Sequence, residues 1–191
     1  MKATKIGIAA TLAAVALVGV SAMPASAADP TDVTVTGSTL TITNPTVGNF
    51  SGVTLDGTAK SATATMDSFT VADGRATGAG WNVTVGATQF LEWAGTAYTA
   101  GGKSLPASSL SMPQLTVAKT DETSSGLPSI TAGSYTLDAG SSVKVAAAAA
   151  DGSGMGSYTF SQGGALNLSV PASAFARVYR SEVTVSVNTG P

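Results

Sequence analysis

Past residue 30 the chain alternates. Apolar side chains, many of them β-branched, take every second place and hydroxyl residues fill the gaps. No stretch sustains the helical period of about 3.6 residues. Val33-Thr34-Val35-Thr36 and Leu40-Thr41-Ile42-Thr43 are short alternating runs separated by Gly37-Ser38. Gly52 to Leu55 is another, closed by the hairpin-type pair Asp56-Gly57. Ala62 to Val71 reads as one longer strand, followed by a turn at Ala72-Asp73-Gly74-Arg75. The clearest strand is Trp81 to Val85, with Trp81, Val83 and Val85 on one face and Asn82 and Thr84 on the other.

The stretch from Gln89 to Pro128 is less regular. Leu91 to Gly95 and Gly101 to Lys103 read as loop. Leu110, Met112, Leu115 and Val117 suit one or two strands, with Pro113 favouring a bulge or an edge. Lys119 to Pro128 reads as a long polar connection inside one domain. Strands resume at Ser134 to Leu137, Tyr158 to Phe160, Leu166 to Val170 and Val183 to Val187. The alanine run before Asp151 suits a helical turn or a strand end. About ten short, mostly antiparallel strands with closely spaced turns predict an all-β fold, a single β-sandwich. No fixed-period repeat points to a solenoid.

The first residues read as an export signal. Lys2 and Lys5 precede an uncharged run from Ile6 to Val20, and Ala25-Ser26-Ala27 offers small residues at the positions a signal peptidase reads. The expected organisation is a signal peptide over 1–27 and one domain over 28–191. The alternative is a retained anchor, since the uncharged stretch reaches Ala28 and a span needs about 20 apolar residues. Pro24 and the Ala-Ser-Ala site favour cleavage, after which no membrane span is expected. The chain has no cysteine, so neither a lipidated cysteine nor a disulfide framework is available.

Composition removes several function classes. Nine Lys and Arg stand against eleven Asp and Glu; cleavage removes Lys2 and Lys5 and leaves seven against eleven, a net charge of −4. There is no basic cluster, which argues against nucleic acid as a partner. There is no histidine, so the commonest general base and the commonest metal ligand are missing. No cofactor or metal is expected. Asp151-x-Ser153 lies in a Gly-rich turn but falls short of the ligand count of a calcium loop. Ser141 and Lys144 have the spacing of a Ser-Lys nucleophile pair, yet strand alternation points them to opposite faces. Glu92, Glu122 and Glu182 could in principle supply a glycosidase pair; surface solvation accounts for them better, and an enzyme is not expected.

Two segments carry a family resemblance. Gly80-Trp81-Asn82-Val83-Thr84-Val85-Gly86-Ala87-Thr88-Gln89-Phe90 is the first. The second runs from Gly154-Met155-Gly156 through Leu166 to Val170 and on to Tyr179-Arg180-Ser181-Glu182-Val183-Thr184-Val185-Ser186-Val187. Together they resemble the WxL domain of Gram-positive surface proteins. That family's first motif, Trp-x-Leu within a strand, is matched here by Trp81-Asn82-Val83. Its second motif is a Tyr six residues before another Trp-x-Leu: Tyr179 is in place, while Val185 and Val187 stand at the Trp and Leu positions. The chain thus departs at Val83, Val185 and Val187, and the resemblance runs from Trp81 to Pro191. It implies a secreted protein held at the cell surface by non-covalent binding to the wall, through peptidoglycan, often beside other surface proteins. The sequence ends at Gly190-Pro191 without a sorting motif, in keeping with non-covalent retention. With net charge −4, general cationic attraction is not expected to supply the binding. The competing reading is a structural subunit or adhesin-like sandwich that binds another surface protein, for example by edge pairing.

The alternation puts Trp81 with Val83 and Val85 on the apolar face, which makes it core rather than a sugar platform. Tyr179, Val183, Val185 and Val187 share an inward face by the same test. Trp93 and Tyr98 differ, because they sit in a Gly- and Ala-rich segment without alternation, near Gln89 and Glu92. Aromatic platforms beside an amide and a carboxylate suit glycan binding. Loop aromatics also seal the ends of sandwiches. The sequence leaves both readings open.

Overall fold

The structure, a computed structural model, describes residues 31–191. The expected leader over 1–27 lies outside the described residues. Residues Val35–Pro191 form one compact unit. Among the described residues there is no helix, and none therefore long and apolar enough to cross a membrane.

The strands are β1 (Leu40–Ile42), β2 (Lys60–Ala64), β3 (Phe69–Asp73), β4 (Trp81–Ala87), β5 (Leu91–Glu92), β6 (Leu110–Met112) and β7 (Leu115–Lys119). They continue as β8 (Ser129–Ile130), β9 (Tyr135–Thr136), β10 (Val143–Ala148), β11 (Gly156–Gln162), β12 (Leu166–Val170), β13 (Tyr179–Arg180) and β14 (Val183–Thr189). Three four-stranded sheets run in the orders β1-β3-β11-β7, β14-β4-β10-β8 and β2-β12-β6-β9, and β13-β5 makes a two-stranded ribbon. Every strand pair is antiparallel. The all-β sandwich expected from alternation is what forms.

Alternation works because every second side chain enters one shared core. Phe69 and Val71 of β3, Trp81, Val83 and Val85 of β4, and Tyr158 and Phe160 of β11 are fully buried or nearly so. Phe69 stacks on Phe160 with ring centres 5.1 Å apart, and Trp81 meets Phe160 edge-on at 6.2 Å. Leu110, Met112 and Leu166 bring the third sheet into the same core.

The turn before β4 is tied by charge. Arg75 places its guanidinium on both carboxylate oxygens of Asp73, each at 2.8 Å, and donates to the Gly80 carbonyl at 2.8 Å. Asp73 is buried, and the adjacent guanidinium holds its carboxyl below the ordinary value, against the opposing effect of burial. Gly80 follows at φ 70°, where a side chain would strike the Ala148 carbonyl oxygen. Trp81 therefore starts its strand from a fixed point.

Several local expectations change. Val33 to Thr36 forms no strand; Val33 and Val35 are 86% and 81% exposed. An alternating run needs a ladder partner and a core, and this one has neither among the described residues. Gly52 to Leu55 is likewise not a strand. The single run expected over Ala62 to Val71 breaks between β2 and β3, where Met66 pairs with Val47 instead. Fourteen strands replace about ten, since the two-residue strands β5, β8 and β13 form in stretches not read as strands. The alanine run becomes the end of β10, paired with β4 and β8, with a register shift between Lys144 and Ala146. Its methyl-sized side chains leave room for Trp81, which lies opposite Ala148.

Candidate functional site

The two halves of the tryptophan motif meet in one sheet. Strands β4 and β14 are neighbours, with Val83 opposite Val187 and Val85 opposite Val185. Trp81 and Val83 are fully buried, Val185 is 9% exposed and Val187 is half-buried. The Trp81 indole N–H donates to the Gly154 carbonyl at 2.8 Å. Gly154 itself sits at φ 82°, and a Cβ there would lie 2.2 Å from that of Ala148 and 2.7 Å from the indole nitrogen. The turn from Asp151 to Gly154 is thus a close-fitting socket for the indole. Among the described residues no group of three His, Cys, Asp or Glu could hold a metal ion. Tyr179 packs against the same core as Val183 and Val187, but from a different strand. It lies in β13, opposite Glu92 of β5, half-buried, and its hydroxyl donates to the Phe175 carbonyl at 3.0 Å. The break at Ser181-Glu182 interrupts the ladder and separates it from β14.

The other end of interest is built on the β5–β13 ribbon. Trp93 and Tyr98 face each other across an isolated bridge, their rings edge-to-face at 5.0 Å. The Arg180 guanidinium lies 3.7 Å above the Trp93 ring. The Tyr98 hydroxyl is 3.5 Å from a carboxylate oxygen of Glu182. Strand pleating sends Glu92, next to Trp93, to the opposite face. There its carboxylate accepts the Lys103 backbone N–H at 2.9 Å and meets Arg177 at 3.4 Å. Lys103 places its ammonium 4.5 Å from the centre of the Phe175 ring. Gln89 turns elsewhere and donates its amide to the Leu105 carbonyl at 2.8 Å. Of the four residues singled out from sequence, the fold joins Trp93 with Tyr98 and puts Glu92 and Gln89 on separate duties.

A groove of about 1060 Å³ opens beside this ribbon. Phe50, Phe90, Leu168 and Val170 give it apolar walls, and the segment from Ala174 to Ser181 forms its other side. Phe175 and Val178 are 52% and 66% exposed. Arg177, Arg180, Phe175 and Val178 escaped the sequence reading. The available signal was two arginines three apart in a stretch that does not alternate and that follows Pro171.

The acidic side chains divide between the surface and the interior. Glu122 is exposed in its loop and Glu182 is exposed before β14. The buried acids serve the backbone: Asp73 binds Arg75, and Asp138 accepts the N–H groups of Ser109 and Leu110 and the Ser109 hydroxyl.

Residues 24–191 match the family model described as WxL domain surface cell wall-binding. No curated protein and no solved structure matches the chain. The match takes in the N-terminal strands that sequence resemblance had not reached, and nearly all of the chain is included. The chain belongs to the WxL family of surface cell-wall-binding domains.

Proposed function

We propose that residues 28–191 are exported by cleavage after Ala27 and held on a Gram-positive wall by non-covalent binding to peptidoglycan, without catalysis. Family membership supports wall binding in general. The observation that carries the location is the ribbon end, where Trp93, Tyr98 and Arg180 form a solvent-reachable cluster beside the large groove. Trp81 and Val83 of the motif are fully buried and have no surface to offer a ligand. Trp93 and Tyr98 carry the contact in this reading, and Gln89 and Glu92 support it by holding the segment from Glu92 to Leu105 in place.

The test is co-sedimentation of residues 28–191 with purified sacculi. Retention is expected, and replacing both Trp93 and Tyr98 by Ala should weaken it while the sandwich stays folded. Retention unchanged in the double variant would remove the site and leave wall binding standing. The exposed Phe175 and Val178 favour a second reading, docking of another surface protein. Tight capture of such a protein with no sedimentation on sacculi would select it. N-terminal sequencing of the exported protein should begin at Ala28-Asp29-Pro30; an intact Met1 in the membrane fraction would overturn the processing step.

A further inference from the structure

We propose that the groove beside the β5–β13 ribbon receives the stem peptide of peptidoglycan rather than its glycan strand, with Arg180 holding a peptide carboxylate. This rests on the wall-binding reading above and specifies which part of the polymer is recognised.

The argument starts from the cations. Of the seven in residues 28–191, Lys60 pairs with Asp56, Arg75 with Asp73 and Arg177 with Glu92. Lys119 donates to the Ser124 carbonyl. Among the described residues Lys103, Lys144 and Arg180 also have no ion pair, and of these three Arg180 lines the groove while Lys103 sits against the Phe175 ring. Arg180 is not a loose surface arginine, because its guanidinium is seated on the Trp93 ring at 3.7 Å. Stacking fixes the plane of the fork and leaves its N–H edges to bind an anion, with little further ordering needed. A planar carboxylate is the natural partner for such a fork.

The groove walls select among anions. Over the buried Phe90, Leu168 and Val170, the half-buried Phe50 and Leu55 and the exposed Val53, Phe175 and Val178 present apolar surface that suits small methyl-bearing side chains. A stem peptide carries both alanine methyl groups and free carboxylates, so one ligand satisfies both the wall and the guanidinium. A glycan strand would need open aromatic faces, and Arg180 covers one face of Trp93 while Tyr98 packs edge-to-face with the same ring. A polyol phosphate would engage Arg180 but leave the apolar wall against water.

The experiment compares three preparations: sacculi freed of teichoic acid, the same sacculi stripped of stem peptides by an amidase, and sacculi retaining teichoic acid. The mature protein should be retained on the first at least about tenfold better than on the second, the scale of a charge-assisted hydrogen-bond pair. Free stem peptide should displace the wild-type protein from the first preparation, and free glycan strands should not. Arg180→Gln should reduce retention about tenfold, while Lys144→Gln, which removes the same charge from an exposed site on β10, should leave it unchanged. Equal retention on peptide-free glycan would overturn the proposal, as would retention that requires teichoic acid. No retention on any preparation would instead overturn the wall-binding reading itself. The displacement arm uses wild-type protein alone, so the proposal is decided even if Arg180→Gln does not fold.

Discussion

The chain spends its two tryptophans in opposite ways. Trp81 starts a seven-residue strand, is fully buried, and gives its only polar atom to Gly154. Trp93 follows a two-residue strand, is half-buried, and is bracketed by Tyr98 and the exposed Arg180. The first sits where the ladder is continuous on both sides, between β14 and β10. The second sits where the ladder has almost run out. A long ladder closes off its inward side chains, whereas a short ribbon leaves aromatic and cationic groups within reach of solvent. In this family member the motif tryptophan is part of the core, and the less regular tryptophan lies half-buried at the ribbon end.

That contrast breaks most sharply at Trp81. Trp81→Ala should lower stability by about 3–5 kcal/mol, the cost of emptying a large core site. Gly154→Ala tests the same socket from the other side: positive φ and the close approach to Ala148 and the indole should cost about 2–4 kcal/mol. Both are read as denaturant midpoints. If Trp81→Ala unfolded at the wild-type midpoint and lost wall retention, the two tryptophans would have exchanged roles.

The Asp73–Arg75 pair that sets the start of β4 gives the next effect. Asp73→Asn should cost about 1–3 kcal/mol near neutral pH, because it leaves the guanidinium without its charged partner. The folded carboxyl titrates below its ordinary 3.8, chiefly through the Arg75 hydrogen bonds. Its contribution is therefore fully present above that value and lost as pH falls through the lower folded value. The stability gap between wild type and Asp73→Asn should narrow on acidification from about pH 7 to about pH 2. A constant gap would mean the carboxylate charge is not what holds the turn.

How much of this was legible follows the same division. Strands β4, β11, β12 and β14 were readable because apolar residues on one face are sufficient to specify a half-buried strand. That β4 and β14 pair with each other was not, since alternation says which face is inward and nothing about the neighbour. Val33 to Thr36 shows the converse: perfect alternation, with no partner among the described residues to use it. The ribbon was opaque because two-residue strands carry no period. Arg180 was missed because its place on Trp93 exists only after β13 has paired with β5. The net charge of −4 also hid it, by averaging a local cationic rim into an acidic whole.

At the ribbon the expected stability effect is smaller. The Trp93→Ala, Tyr98→Ala double variant removes one edge-to-face pair and one cation–ring contact, together about 1–2 kcal/mol. Its effect on retention by sacculi should be the larger one. A stability loss as great as that of Trp81→Ala would show that Trp93 seals the core rather than serving the surface.

The smallest effect is expected one residue from the largest. Asn82 follows Trp81 on β4 but points to the outer face, half-buried. Its amide donates to the Gly190 carbonyl at 2.9 Å, and its oxygen lies 3.3 Å from the Asn188 amide nitrogen. Both partners are near the end of β14, where water can replace what is lost, so neither is left buried and unpaired. Asn82→Ala should therefore cost about 1 kcal/mol or less, against several for its neighbour. The measurement is the same denaturant midpoint, run on the two variants side by side. Equal losses would mean that both faces of β4 are sealed, and that the outer side of the β14-β4-β10-β8 sheet is covered in the folded protein. A large difference, with sacculus retention intact in Asn82→Ala, would confine the binding surface to the ribbon end and leave the motif strand to hold the fold.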